Sequence, residues 1–115
     1  MGKRYKWYKN GRLVKETVDP EGEKLLRVYL SNDYAISYSY GIHGKISVKI
    51  YTFRNRYHRL DGPAVVFYHD NGVIEEERYL KNGEYHREDG PAIIEYDTSG
   101  NVKRQTDYEN GTLKN

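Results

Sequence analysis

The 115 residues are 37% hydrophobic with a mean hydropathy of −0.98, too little Leu and Ala for a helical bundle of this size, while Tyr alone supplies 13 residues. The absence of Cys excludes disulfide staples, thiolate metal sites and a thiol nucleophile, and a net charge of +2 is too small to imply a nucleic-acid partner by itself. With no apolar run of membrane-spanning length and no recognisable signal peptide, one soluble cytoplasmic domain over residues 1–115 is expected.

The chain opens on "KRYKWYKNGRLVK", and the first fifteen residues carry six basic side chains and no acid. On a strand, Tyr5 and Trp7 share one face while Arg4, Lys6 and Tyr8 share the other. Cations interleaved with rings suit a nucleic acid or an anionic lipid; a Lys-rich edge strand that resists unwanted pairing would look the same. Arg4, Lys6, Trp7, Tyr8 and Lys9 are therefore candidate partner-binding residues. Next, Leu26, Val28 and Leu30 alternate with Leu25, Arg27 and Tyr29. In "YAISYSY", Tyr34, Ile36, Tyr38 and Tyr40 lie opposite Ala35, Ser37 and Ser39. In "KISVKIYTF", Ile46, Val48 and Ile50 lie opposite Lys45, Ser47 and Lys49. This period of two predicts strands, and no stretch has helical periodicity. Tyr34, Tyr38 and Tyr40 are candidates for contact with another protein, because Tyr offers a large, rigid, amphipathic surface. Packing over one sheet face is the structural use of the same rings.

Turn-forming sites set a ruler along the chain. They end at Gly11, Gly22, Asp33, Gly44, Asn55, Gly72, Gly83, Gly100 and Gly111, separated by 11, 11, 11, 11, 17, 11, 17 and 11 residues. Asp and Asn tolerate the left-handed conformation that Gly favours, so Asp33 and Asn55 are expected to hold the same turn position. An 11-residue step fits a strand of seven or eight residues plus a tight turn. The expected fold is all-β: an antiparallel meander of up to ten hairpin-linked strands in one elongated, twisted sheet, with a closed or half-closed barrel as the alternative. Eleven-residue steps run to about Asn55, and two longer repeats follow.

Each 17-residue step contains an added string, "YHRLDGPAVVFY" from Tyr57 and "YHREDGPAIIEY" from Tyr85. His58, Arg59, Asp61, Gly62 and Pro63 thus recur as His86, Arg87, Asp89, Gly90 and Pro91. A catalytic reading makes each His a general base oriented by Asp, or the two His a metal site, giving a small hydrolase or nucleotide-handling enzyme. A scaffold reading has Asp accepting backbone N–H groups, Gly taking an unusual dihedral, and Pro fixing the next. Arg would then fork to a carboxylate in the neighbouring repeat, and His would satisfy a nearby carbonyl. Repetition at a constant offset favours the scaffold. No third catalytic partner or phosphate loop accompanies the strings, and four His are few for zinc. No catalytic residue, metal or cofactor is expected.

The segments "WYKNG", "VDPEG", "RVYLSND" and "ERYLKNG" resemble the MORN-variant repeat, a β-hairpin unit of about two dozen residues. The run "YLKNGEYHREDGPAIIEYDTSG" resembles a longer form of it found in phage, bacterial and giant-virus proteins. This likeness spans Tyr5 to Gly111 and departs from the pattern in "YAISYSYGIHG" and "YTFRN". It implies a β-hairpin fold and a non-enzymatic, protein-binding scaffold, such as an inhibitor or antitoxin-like protein acting in the cytoplasm of a bacterial or infected cell. Binding of nucleic acid or anionic lipid through the N-terminal hairpin is the alternative function. A sheet with two exposed faces and few aliphatics also suits a homodimer.

Overall fold

A computed structural model describes residues 4–18, 24–41 and 43–114. The described chain is all-β and contains no helix. The first five strands are β1 (Arg4–Lys9), β2 (Arg12–Val18), β3 (Lys24–Tyr29), β4 (Tyr34–Tyr40) and β5 (Ile46–Phe53). Then come β6 (Arg56–Tyr57), β7 (Val65–Tyr68), β8 (Ile74–Arg78), β9 (Leu80–Lys81) and β10 (Glu84–Tyr85). The last three are β11 (Ile93–Tyr96), β12 (Val102–Glu109) and β13 (Thr112–Lys114). Every pairing is antiparallel. The sheet runs β1-β2-β3-β4-β5-β7-β8-β11-β12-β13, with β6 on the flank of β5 and β9–β10 as a separate hairpin. The path does not close, so the molecule is an open sheet and not a barrel.

The ten strands of the main path are the ten that the turn ruler predicts. The three short extra strands arise where the six added residues lengthen a hairpin. Strand β5 pairs through Thr52 and Phe53 with β6, then through Val48, Lys49 and Ile50 with β7. The "HRLDGP" string is the loop between these two segments, which share one flank of β5.

Four tight turns carry both central residues at positive φ: Asn10–Gly11, Arg54–Asn55, Asn82–Gly83 and Asn110–Gly111. That is the two-residue hairpin turn whose twist matches the flanking strands, and Asn and Gly reach it most cheaply. Asn55 thus holds the expected position. Asp33 does not, as its φ is not positive. The "LSND" turn is held instead by the Ser31 hydroxyl, which accepts the N–H groups of Asp33 and Tyr34 at 3.2 and 3.1 Å. Asp33 binds the incoming hairpin, its carbonyl accepting Arg54 N–H at 2.7 Å. The predicted turn at "DPEG" lies outside the described residues.

The sheet is a single layer of 46 × 31 × 20 Å, and among the described residues no large side chain is fully buried. Ala64, Val65 and Leu80 form the core cluster, with Val48, Ile50, Phe67 and Tyr85 packed on it. The strings therefore sit at the most buried part of the molecule. No helix among the described residues is long and apolar enough to cross a membrane.

Candidate functional site

The two strings adopt the same geometry, 28 residues apart. Asn82 N–H donates to His58 Nδ1 at 2.9 Å, and Asn110 N–H donates to His86 Nδ1 at 3.1 Å. Each imidazole therefore caps the tight turn of the following repeat, and accepting at Nδ1 requires the neutral ring with its proton on Nε2. Backbone bonds reinforce the tie. Gly83 N–H reaches Tyr57 C=O at 2.8 Å and Gly111 N–H reaches Tyr85 C=O at 2.9 Å. Ala64 and Ala92 donate to Arg78 and Thr106 carbonyls, both at 2.8 Å.

Arg59 lies with its guanidinium carbon 4.0 Å above the Tyr51 ring, and Arg87 lies 4.0 Å above Tyr79. Their Nη1 groups donate to Pro63 and Pro91 carbonyls at 3.3 and 3.2 Å. Their Nε groups face Asp61 and Asp89 at 3.0 and 3.5 Å. The folded-back arginine crowds the glycine of each string. A Cβ on Gly62 would sit 2.8 Å from Arg59 Cζ, and one on Gly90 would sit 3.0 Å from Arg87 Cζ.

Four expectations from the sequence are corrected here. Arg59 and Arg87 pair with the Asp two residues ahead rather than forking to a neighbouring repeat. Each His accepts a backbone N–H rather than satisfying a carbonyl. Gly62 and Gly90 have no positive φ; what a side chain there would meet is the neighbouring guanidinium. Asp61 accepts from Arg59 and Asp89 forms an ion pair with Arg87, neither accepting a backbone N–H. At 87% and 90% side-chain exposure, those ion pairs contribute only about 0–1 kcal/mol each. Nor does the His–Asp dyad of the catalytic reading form, since the Nδ1 atoms and the carboxylates are engaged elsewhere. Among the described residues no three His, Cys, Asp or Glu side chains gather as a metal-binding group. An open groove of about 590 Å³ lies between the two string loops, with Arg59, Asp61, Tyr79, His86, Arg87 and Asp89 in its walls. Its charges are of both signs.

The steric relation between arginine and glycine makes a testable cycle. Gly62→Ala is expected to displace the Arg59 guanidinium from Tyr51 and Pro63, costing about 1–2 kcal/mol. In an Arg59→Ala background the same change is expected to be neutral or slightly stabilising, because Ala restricts the unfolded chain. Urea denaturation of the four proteins measures both signs; a Gly62→Ala cost that persists without Arg59 would refute the contact.

The register places the remaining candidates. One ladder row runs Tyr5, Thr17, Leu26, Tyr38, Lys49, Val66 and Glu77. The next runs Trp7, Lys15, Val28, Ile36 and Tyr51. Tyr40 is paired with Lys24, and Tyr34 with Phe53, on the same face. The aromatic N-terminus and the Tyr cluster of β4 are thus one surface, and that was not visible in the sequence. Arg4 and Lys6 point to the opposite face, where Lys6 stands opposite Glu16. Past a register shift at Trp7/Tyr8, Tyr8 and Lys9 continue to the turn. Of the β4 rings, Tyr34 is the most exposed and packs at a tilt against Phe53, with ring centroids 4.6 Å apart, while Tyr38 and Tyr40 are half-buried.

Over β1–β5 this face carries Lys15, Lys24 and Lys49 and, among the described residues, no carboxylate. The amino group of Lys15 is 4.5 Å from the Trp7 ring centroid, and that of Lys49 is 5.7 and 5.0 Å from Tyr38 and Tyr51. The side-chain hydrogen bond to Tyr51 raises the Lys49 pKa against the opposing effect of burial, so the charge is retained. The reverse face of the same strands carries a paired polar cluster. Glu16 accepts the Tyr29 hydroxyl at 3.2 Å and faces Arg27 at 3.6 Å, and Arg27 donates to Ser37 at 3.1 Å. The contrast follows a charge asymmetry along the chain: 12 of the 19 basic residues but five of the 17 acids precede Arg59. Carboxylates enter the aromatic face only at β8. There Glu77 accepts the Tyr96 hydroxyl, and burial together with that bond pushes the phenol up to about 12.

No family model, curated protein or solved structure matches the chain.

Proposed function

We propose that this chain is a non-catalytic repeat scaffold that binds another macromolecule, and that its working surface is the aromatic and lysine face over β1–β5. The observation that carries the reading is the division of labour between two residue sets. The imidazoles of the duplicated strings tie successive repeats together and their arginines and aspartates pair within their own loops, whereas the rings and lysines of β1–β5 share a face that carries no carboxylate among the described residues. Tyr-rich surfaces of this kind suit macromolecular contact, since each ring adds area at low entropic cost and keeps a polar tip. The Tyr content suits a protein partner, and the lysines set among the rings suit a nucleic acid. The resemblance of the turn segments to MORN-variant repeats adds a viral or bacterial setting, with an inhibitor or antitoxin-like role in the cytoplasm.

The test is retention of partner material from cell extract by the intact protein and by a Lys15→Gln/Tyr38→Ala/Lys49→Gln variant. The expected result is material, protein or nucleic acid, held by the first and lost by the second, at an unchanged melting temperature. Equal retention by both would move the working surface elsewhere.

A further inference from the structure

We infer that the occupant of the aromatic and lysine face is single-stranded nucleic acid. The inference rests on the proposed binding role of that face and names its partner. The face pairs ring with cation: Lys15 lies 4.5 Å from the Trp7 ring centroid and Lys49 lies 5.7 Å from that of Tyr38, with Tyr51, whose ring Arg59 covers, 5.0 Å on from Lys49. Each nucleotide carries both complements, a base that stacks on a ring and a phosphate that meets an amino group. An acidic protein would meet the lysines, but it would need acidic and apolar side chains alternating at the strand spacing to cover the rings as well. A duplex hides its bases and offers mainly phosphates, too many for three lysines to neutralise. The exposure agrees, since Tyr5 is 54% and Trp7 44% accessible at the open end of the sheet. From Tyr5 to Tyr51 the face crosses five strands, a span of about 19 Å. That accommodates about four nucleotides, the short end of single-strand sites.

Trp7 is the sole tryptophan, so its emission reports on this face alone. Fluorescein-labelled dT12 and rU12 are titrated with the full chain, following anisotropy and Trp7 fluorescence. Binding is expected to quench Trp7. Three lysine–phosphate contacts predict a loss of affinity of roughly 20-fold between 50 and 200 mM NaCl. Tyr38→Ala is expected to weaken binding by about 5- to 100-fold, as loss of one base stack does, while Tyr38→Phe, which keeps the ring, binds as the parent. Thermal melts of both variants separate lost stacking from lost folding. Absence of binding to both oligonucleotides, or binding without quenching and unaffected by Tyr38→Ala, would overturn the inference. So would capture by phosphatidylserine vesicles, or by an acidic protein, in place of the oligonucleotides. If extract material is still lost in the triple variant after such a failure, the binding role of the face stands and only the partner is wrong.

Discussion

Replacing His58 with Leu is expected to destabilise the protein by about 2–3 kcal/mol, although Leu supplies similar apolar bulk. The imidazole is 7% exposed and rests against Phe53, with ring centroids 5.4 Å apart. Its Nδ1 is the acceptor for Asn82 N–H. Removing that acceptor leaves a turn N–H unpaired, which costs about 1–3 kcal/mol, and the reshaped contact with Phe53 adds to it. For a domain of this size the melting temperature should fall by about 8–12 °C. His58→Asn discriminates the causes, because the Asn side-chain oxygen can occupy the place of Nδ1. It is expected to recover roughly half of the loss. His86→Leu should cost less, since His86 is only half-buried and its bond to Asn110 is exposed, so water can replace the imidazole. Thermal melts and urea titrations measure all three. A His58→Leu protein as stable as the parent would mean that the imidazole does not cap the next repeat, and would return His58 to the list of chemically available groups.

Much of this fold is written locally. The Asn-Gly turns at Asn10, Asn82 and Asn110 need only two residues to be recognised, because positive φ at both positions is a property of those residues and not of their surroundings. Alternation in β4 and β5 is equally local. Asp33 shows where such reading stops: a residue type that tolerates the left-handed turn is not obliged to adopt it when Ser31 can hold the backbone another way. The strings fail differently. Their Asp and Gly are common turn residues and so suggest a turn, whereas the structure has an arginine folded back over its own loop. Nothing in "HRLDGP" announces that Gly62 faces a guanidinium, because this depends on Tyr51 lying beneath it, eight residues upstream of Arg59.

The candidate face was legible in pieces and not as a whole. Tyr5 and Trp7 separate from Arg4 and Lys6 by parity alone, and so do Tyr38 and Tyr40 from Ser37 and Ser39. Whether the two aromatic sets share a side depends on the register of β1–β2, β2–β3 and β3–β4. A one-residue slip in any of these pairings would have put them on opposite faces. The lysines complete the surface for the same reason. Lys15, Lys24 and Lys49 are far apart in sequence and become neighbours of the rings only across the ladder.

The largest loss is expected from enlarging the two alanines that begin the strands after the strings. Ala64 and Ala92 are both 0% exposed. Each is fixed on both sides, Ala64 donating to Arg78 C=O at 2.8 Å and accepting Tyr51 N–H at 2.7 Å. Ala92 does the same between Thr106 and Tyr79, at 2.8 and 2.7 Å. With its backbone stitched to both flanking strands, the position cannot retreat to admit a larger side chain. Its neighbours in the core cluster, Val65 and Leu80, are buried as well. Ala64→Leu is therefore expected to cost about 2–3 kcal/mol, the upper part of the range for overpacking. The two sites lie in successive repeats, so their effects should add to about 5 kcal/mol. That equals the entire stability of many small domains, and a single-layer sheet with no large side chain fully buried among the described residues belongs at the low end. The Ala64→Leu/Ala92→Leu protein should accordingly be largely unfolded at 37 °C by circular dichroism, with each single variant folded but melting about 10 °C lower. A double variant that melts within a few degrees of the parent would show that the loops can open, and that the strings are not what fixes the spacing of the sheet.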